Sequence, residues 1–385
     1  MSAEYSAAIQ ARGGDAAYLA TGLQDARRRT LGLLDACAAA LGDTLRIPYS
    51  TQFNPPLWEV GHVAWFHDLW IARNPQRQRG EAADPDCTRP EGRLAGADAL
   101  YNSSVVPHAT RWDLPLPPLA ATREYLAASL AETLTLLASE PQTPEHLYFY
   151  RLSLFHEDMH AEAGAYMAQA LDIPLPAQLR PWERPLPAAR ELAVAATHWR
   201  LGYHGTSFAF DNELVAHEVT LRPFSIDSSV VSWRRFLPAV EAGAVAAPRY
   251  LRRTESGWQA RRYGAWESVN PDAAALHVTW DEAQAWCEWA GRRLPTEAEW
   301  ECAAMTQRGF EWGDAWEWTS SRFAPFAGFI AHPYRDYSRF GFEEHRYVLK
   351  GASRATDPRM AHPKYRNYFT PERNDVHTGF RSCAL

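Results

Sequence analysis

The pair His156 and His160 constrains this chain more than any other feature. The two stand four apart in Tyr-Arg-Leu-Ser-Leu-Phe-His-Glu-Asp-Met-His-Ala-Glu-Ala-Gly-Ala-Tyr, residues 150–166. On a helix that spacing stacks both imidazoles on one face, within reach of one metal ion. Leu147, Leu152, Leu154, Phe155, Met159, Ala163, Met167 and Leu171 supply an apolar stripe, and no proline falls between 145 and 173, so a long helix is expected. Glu157, Asp158 and Glu162 lie beside the histidines and can accept a ligand's second ring N–H. At this point the chemistry stays open. One reading is a pair of surface histidines on an acidic helix. Another is a zinc peptidase, since His156-Glu157-Asp158-Met159-His160 fits H-E-x-x-H. Ala163 stands where the extended form of that motif has glycine, while a third ligand downstream, Glu183 or Glu191, is compatible with the spacing.

A second histidine segment lies upstream, Trp58-Glu59-Val60-Gly61-His62-Val63-Ala64-Trp65-Phe66-His67, on another apolar helical stretch. Metal sites in helical bundles draw ligands from more than one helix. His62 and His67 are five apart and share a face poorly; His62 is the better metal candidate, and His67 reads as a polar core or surface residue. Three neutral histidines without a thiolate suit Fe(II) or Zn and leave positions for substrate or dioxygen.

With 385 residues the chain is expected to form two domains. Its formal net charge is −7 with both signs mixed throughout, and no basic stripe suggests nucleic acid. The five cysteines are scattered, with no C-x-x-C, which argues against a disulfide framework and for a reducing cytosol. No apolar run of membrane-spanning or signal-peptide length occurs, so a cytoplasmic protein without a membrane span is expected.

In chain order, residues 1–14 read as a loose polar lead and 16–41 as a helix stopped by Gly42, with Arg27-Arg28-Arg29 on a solvated face. A helix from about Leu57 to Ala72 carries His62. Residues 74–118 form a long polar loop of the kind that lids and binding sites use; in it Arg111 can clamp a carboxylate through its planar fork. A third helix spans 119–138, and the histidine helix is the fourth. Residues 1–172 therefore read as a four-helix bundle, 173–196 as a proline-rich linker, and 197–385 as an α+β domain of short strands. In that domain Thr279-Trp280-Asp281-Glu282 and Thr296-Glu297-Ala298-Glu299 open helices.

The second half resembles the formylglycine-generating-enzyme (sulfatase-modifying factor) fold, a C-type-lectin-like domain. The resemblance rests on Gly291-Arg292-Arg293-Leu294-Pro295-Thr296-Glu297-Ala298-Glu299-Trp300-Glu301, Trp316-Glu317-Trp318-Thr319-Ser320-Ser321, Val348-Leu349-Lys350-Gly351 and Gly379-Phe380-Arg381. Cys383 matches no oxidising cysteine of formylglycine formation, so that activity is not carried over. The first half is similar to a DinB-type bundle. The combination resembles the ergothioneine-biosynthesis sulfoxide synthases, which implies a non-haem Fe(II) held by His62, His156 and His160, with Glu162 completing H-x-x-x-H-x-E. It implies hercynine and dioxygen as substrates, with a chalcogen joined to C2 of the hercynine imidazole. The chalcogen donor is a thiol (γ-glutamylcysteine or cysteine) in the sulfur branches and a selenosugar in the selenoneine synthase branch.

Met159 stands where the sulfur enzymes often carry Gln, and residues 371–378 lack their usual Trp. Both departures suggest a different pocket, and the expectation taken forward is the selenoneine branch, with the sulfur reaction as alternative. A zinc hydrolase and a lectin-like binding protein are more distant alternatives. The resemblance further implies a proton-donating tyrosine, Tyr337 with Tyr334 as fallback. Asn374 and Asp375 are candidate hercynine contacts, and Arg111 a weaker candidate for a carboxylate or sugar.

Overall fold

The computed structural model describes residues 3–385. They divide into two compact units: the first holds the residues up to 180 together with 332–336, the second 181–331 and 337–385.

The first unit is helical. Residues of the expected polar lead form a helix, α1 (Ala3–Gly13). Ala8 and Ala11 are fully buried on it, and two small side chains are too weak a stripe to betray a helix in the sequence. Helix α2 (Ala16–Leu41) starts at the side-chain cap of Asp15 and ends at Gly42, whose φ of 73° suits glycine. Helix α3 (Pro56–His67) begins with proline in its first turn and runs on as a π-helical turn, Asp68–Ala72. The long loop that follows contains the short α4 (Ala97–Tyr101). Helices α5 (Leu119–Leu137) and α6 (Pro144–Ala170) complete the bundle, α6 packing against α2 and α3, and α3 against α5.

Every residue of α6 from Leu147 to Asp158 is buried. A helix covered on all sides must neutralise its polar residues within the protein. Arg27, expected on a solvated face, is the buried partner that does so for Glu157, at 2.7 and 3.1 Å.

The second unit starts inside the expected linker. Arg184 pairs with Asp314 at 2.9 Å, and Leu186 donates its backbone N–H to Asp272. The strands β1 (Glu191–Val194), β2 (Thr197–Leu201), β3 (His217–Leu221) and β4 (Phe224–Asp227) precede α7 (Trp233–Glu241). Three strands of a meander follow, β5 (Leu251–Thr254), β6 (Gly257–Arg262) and β7 (Ala265–Ser268). Then come α8 (Trp280–Trp289), β8 (Arg292–Arg293) and α9 (Glu297–Thr306). Both helices open on capping boxes, Thr279 with Glu282 and Thr296 with Glu299. The last strands are β9 (Ala315–Arg322), β10 (Tyr347–Ala352), β11 (Asn367–Phe369), β12 (Thr378–Gly379) and β13 (Cys383–Ala384). They make two four-stranded sheets, β1-β4-β13-β8 and β11-β10-β9-β12, beside the β2-β3 pair and the meander. Trp300, Trp316 and Trp318 fill the core of this unit. The fold class is thus a helical domain joined to an α+β domain.

Candidate metal centre

Helix α3 presents His62, and α6 presents His156 and His160 one turn apart. Their Nε2 atoms converge: 3.2 Å separates those of His62 and His156, and 3.1 Å those of His156 and His160. This is the group of three found among the described residues whose ligand atoms all lie within 4.8 Å of one another. His62 and His156 are almost wholly buried and His160 is partly so.

The outer nitrogens explain why the inner ones face each other. Nδ1 of His62 donates to the carbonyl of Tyr101 at 2.7 Å, and Nδ1 of His160 donates to Glu59 Oε1 at 2.6 Å. Each bond fixes a tautomer and leaves a lone pair on Nε2. His156 lies flat on Phe66, with ring centroids 3.5 Å apart, and its Nδ1 has no hydrogen-bond partner among the described residues. His62 is stacked on Trp58 at 4.9 Å and beside Trp65 at 5.4 Å.

Burial in this aromatic box, with the neighbouring His160, pulls the His62 pKa down to about 3. Burial likewise holds His156 well below its ordinary value. For Glu59 burial works the other way, but the charge and hydrogen bond of His160 and the amide of Asn54 outweigh it, and its pKa falls to about 2. The site is therefore built of two imidazoles that burial keeps neutral, His62 and His156, and of His160 paired with one carboxylate.

These residues fit a bound cation. The Nε2 atoms of His62 and His160 both approach His156 Nε2, at 3.2 and 3.1 Å, so a cation lying among the three would meet nitrogen donors from every histidine. Two nitrogens about 2.1 Å from one ion are about 3.0 Å apart at a right angle and about 3.4 Å apart at a tetrahedral angle, and the observed spacing falls between. An all-nitrogen set is compatible with iron and with zinc.

The remaining residues singled out in the sequence fall elsewhere. His67 does not join the triad; it bonds Glu157 and Thr133, each at 3.2 Å. Glu157, the glutamate of the H-E-x-x-H match, is fully buried between Arg27 and His67, which leaves it no free face to act as a hydrolytic base. Glu183 and Glu191 belong to the second unit and pair with Arg262 and Arg292. Glu162 is buried on α6. Arg111 is buried, stacked 3.9 Å over Trp58, and hydrogen-bonded to Asn54 at 2.6 Å and to the Val106 carbonyl at 3.1 Å.

Of the two tyrosines, Tyr334 belongs to the first unit. Its ring lies 5.9 Å from His156 and 5.0 Å from Phe66, and burial raises its phenol pKa. Tyr337 belongs to the second unit, its hydroxyl 2.8 Å from that of Tyr365 and its ring on Phe210. In the same unit Asp375 makes a two-pronged pair with Arg373, at 2.6 and 2.8 Å, and Asn374 accepts from Arg249 at 3.3 Å. Sequence reasoning missed Glu59, Asn54, Trp58 and Tyr101. Glu59 one turn before His62 was a usable signal; Tyr101 acts through its backbone and leaves none.

The combination of a helical bundle with a lectin-like α+β domain is found by comparison as well. Residues 23–204 match the DinB superfamily, and residues 182–315 and 311–384 match the sulfatase-modifying factor enzyme 1-like domain. The hercynine oxygenase of Mycolicibacterium smegmatis is 31% identical over an alignment covering 94% of this chain and 97% of that one. The hercynine oxygenase of Mycobacterium tuberculosis is 28% identical, with coverage of 94% and 97%. The formylglycine-generating enzyme of Streptomyces coelicolor is 33% identical but spans only 29% of this chain. The chain belongs to the hercynine oxygenase family, and is accordingly an oxygen-dependent enzyme.

Proposed function

We propose that this enzyme joins a thiol to C2 of the hercynine imidazole, using Fe(II) and dioxygen. The carrying observation is the set of three Nε2 atoms converging within one bundle, in a chain that matches hercynine oxygenases over nearly its whole length. The reaction balances without an outside reductant. The C2–H and S–H bonds break and a C–S bond forms; one oxygen atom ends on sulfur as a sulfoxide and the other leaves as water with both hydrogens. The similarity to hercynine oxygenases favours this sulfur chemistry. The selenosugar alternative rests on Met159 and on residues 371–378. A selenoether formed with the same stoichiometry would send both oxygens out as hydrogen peroxide.

Iron bound at His62, His156 and His160 would hold the donor as thiolate, the reactive form, and activate dioxygen. The protein's own residues do the rest. The Tyr101 carbonyl and Glu59 keep His62 and His160 in the tautomer that donates from Nε2. Trp58, Trp65 and Phe66 keep water from the inner nitrogens. Tyr334, neutral because its pKa is raised, offers a phenol proton beside His156, and Tyr337 is the second candidate for that role. Asn374 and Asp375 are the proposed contacts for the trimethylammonium end of hercynine.

The test is a mass-spectrometric product assay on protein reconstituted with Fe(II) in air. Hercynine is offered with γ-glutamylcysteine, cysteine and a 1-selenosugar together. A sulfoxide adduct is expected, and a selenium adduct instead would move the enzyme to the selenoneine branch. No adduct with any donor, in protein that holds iron, would overturn the synthase reading. The same assay on Tyr334→Phe is expected to show a loss of at least tenfold in adduct yield, and on Tyr337→Phe little change; the reverse result exchanges their roles.

A further inference from the structure

We infer that Asn54 and Arg111 are positioning residues for the three-histidine site, acting through Glu59. Four groups form one hydrogen-bonded line. Arg111 Nη1 donates to Asn54 Oδ1 at 2.6 Å, Asn54 Nδ2 donates to Glu59 Oε2 at 2.7 Å, and Glu59 Oε1 accepts from His160 Nδ1 at 2.6 Å. The same guanidinium lies 3.9 Å over the Trp58 ring, on which His62 is also stacked, at 4.9 Å with the ring planes 10° apart. Arg111 thus supports two of the three histidines, one through hydrogen bonds and one through stacked rings. In this structure Nη1 and Nη2 of Arg111 are taken by Asn54 and the Val106 carbonyl.

Charge explains what the line is for. Three imidazole ligands bring no negative charge to a divalent cation, and a buried cation needs an anion close by. Glu59 is 5% exposed and touches a histidine of the triad directly, whereas Glu157, the neighbouring buried carboxylate, is taken by Arg27. A carboxylate behind one histidine makes that imidazole a stronger donor than the one backed by the Tyr101 carbonyl or the one backed by nothing. Asn54 suits the middle of the line because an amide both donates and accepts. An aspartate there would face Glu59 with a second negative charge, and an alanine would leave both neighbours short of a partner. Lysine in place of Arg111 would keep the charge but lose the fork and the stack.

The inference rests on the metal-site part of the proposed function alone, so its test needs no turnover. Metal-free protein is loaded with Co(II), the dissociation constant is measured by chelator competition, and the visible absorption of the bound ion is recorded. Glu59→Gln is expected to weaken binding by about 10–100-fold, and Asn54→Ala and Arg111→Met by about tenfold, each with a shifted absorption band. Arg111→Lys is expected not to restore the parent value. Thermal midpoints of the metal-free variants separate a merely structural role. If Asn54→Ala and Arg111→Met lower the midpoint while affinity and spectrum match the parent's, the inference fails. If the parent itself binds no metal, both this inference and the proposed function fail. An unsuccessful product assay with altered Co(II) affinities leaves this inference standing and removes only the reaction.

Discussion

At the scale of single residues, the two glutamates next to the histidines do opposite jobs. Glu59 faces inward and backs His160, while Glu157, one position from His156, faces Arg27 and His67. Burial alone would raise the pKa of Glu157, yet Arg27 and the hydrogen bond from His67 bring it down to about 2. Its charge is therefore part of what holds α2 to α6. Glu157→Gln leaves Arg27 as a buried cation without its anion, which costs about 3–5 kcal/mol. The thermal midpoint of the first unit is expected to fall by roughly 10 °C, read by circular dichroism, with Co(II) binding retained at room temperature. A zinc hydrolase predicts the reverse, with catalysis lost and stability kept. A midpoint unchanged within about 2 °C would show that the pair contributes nothing, as many exposed pairs do.

At the scale of elements, the site depends on how closely α3 approaches the Tyr101 segment. Gly61 precedes His62, and a Cβ placed on it would lie 2.3 Å from the Tyr101 ring. That ring belongs to the residue whose carbonyl holds His62. Gly61→Ala is expected to cost about 1–3 kcal/mol by overpacking and to weaken Co(II) binding several-fold, because Tyr101 must move. Calorimetry and chelator competition check the two effects separately, and an unchanged affinity would mean that the carbonyl can shift without the ring. Local signals made α2, α5 and α6 legible almost to the residue, since each has a periodic apolar face and the caps lie in the chain itself. Helix α1 was not legible because its buried residues, Ala8, Ala11 and Arg12, make no apolar stripe of large side chains. Nor was the line from Arg111 to His160, because its members come from three segments and only folding places them side by side. The membership of 332–336 in the first unit escaped for the same reason, and with it the placement of Tyr334 beside His156.

At the scale of the whole molecule, the buried imidazoles couple stability to pH. His62, with a pKa of about 3, and His332, with about 4, both resist protonation because burial penalises the charged ring. His67, His156 and His277 are displaced in the same direction, burial again being the largest cause. In the unfolded chain each takes up a proton near 6.5. Below that pH the unfolded state binds more protons than the folded one, so stability falls as pH falls. Glu59 and Glu157, lowered to about 2, add the same sign in a later window. Their stabilisation is complete above about 4.5 and disappears as pH drops towards 2. Each proton held only by the unfolded chain costs about 1.4 kcal/mol per pH unit. The metal-free protein is therefore expected to show a flat thermal midpoint between about pH 7 and 8, a decline that begins near 6.5 as pH falls, and a steeper one below 4.5. His62→Asn removes one buried ring that refuses a proton, and should make the decline between pH 6.5 and 4.5 shallower than in the parent. An equally steep decline in that variant would place the refused proton elsewhere, and would mean that the neutral state of His62 is not enforced by the fold that positions it.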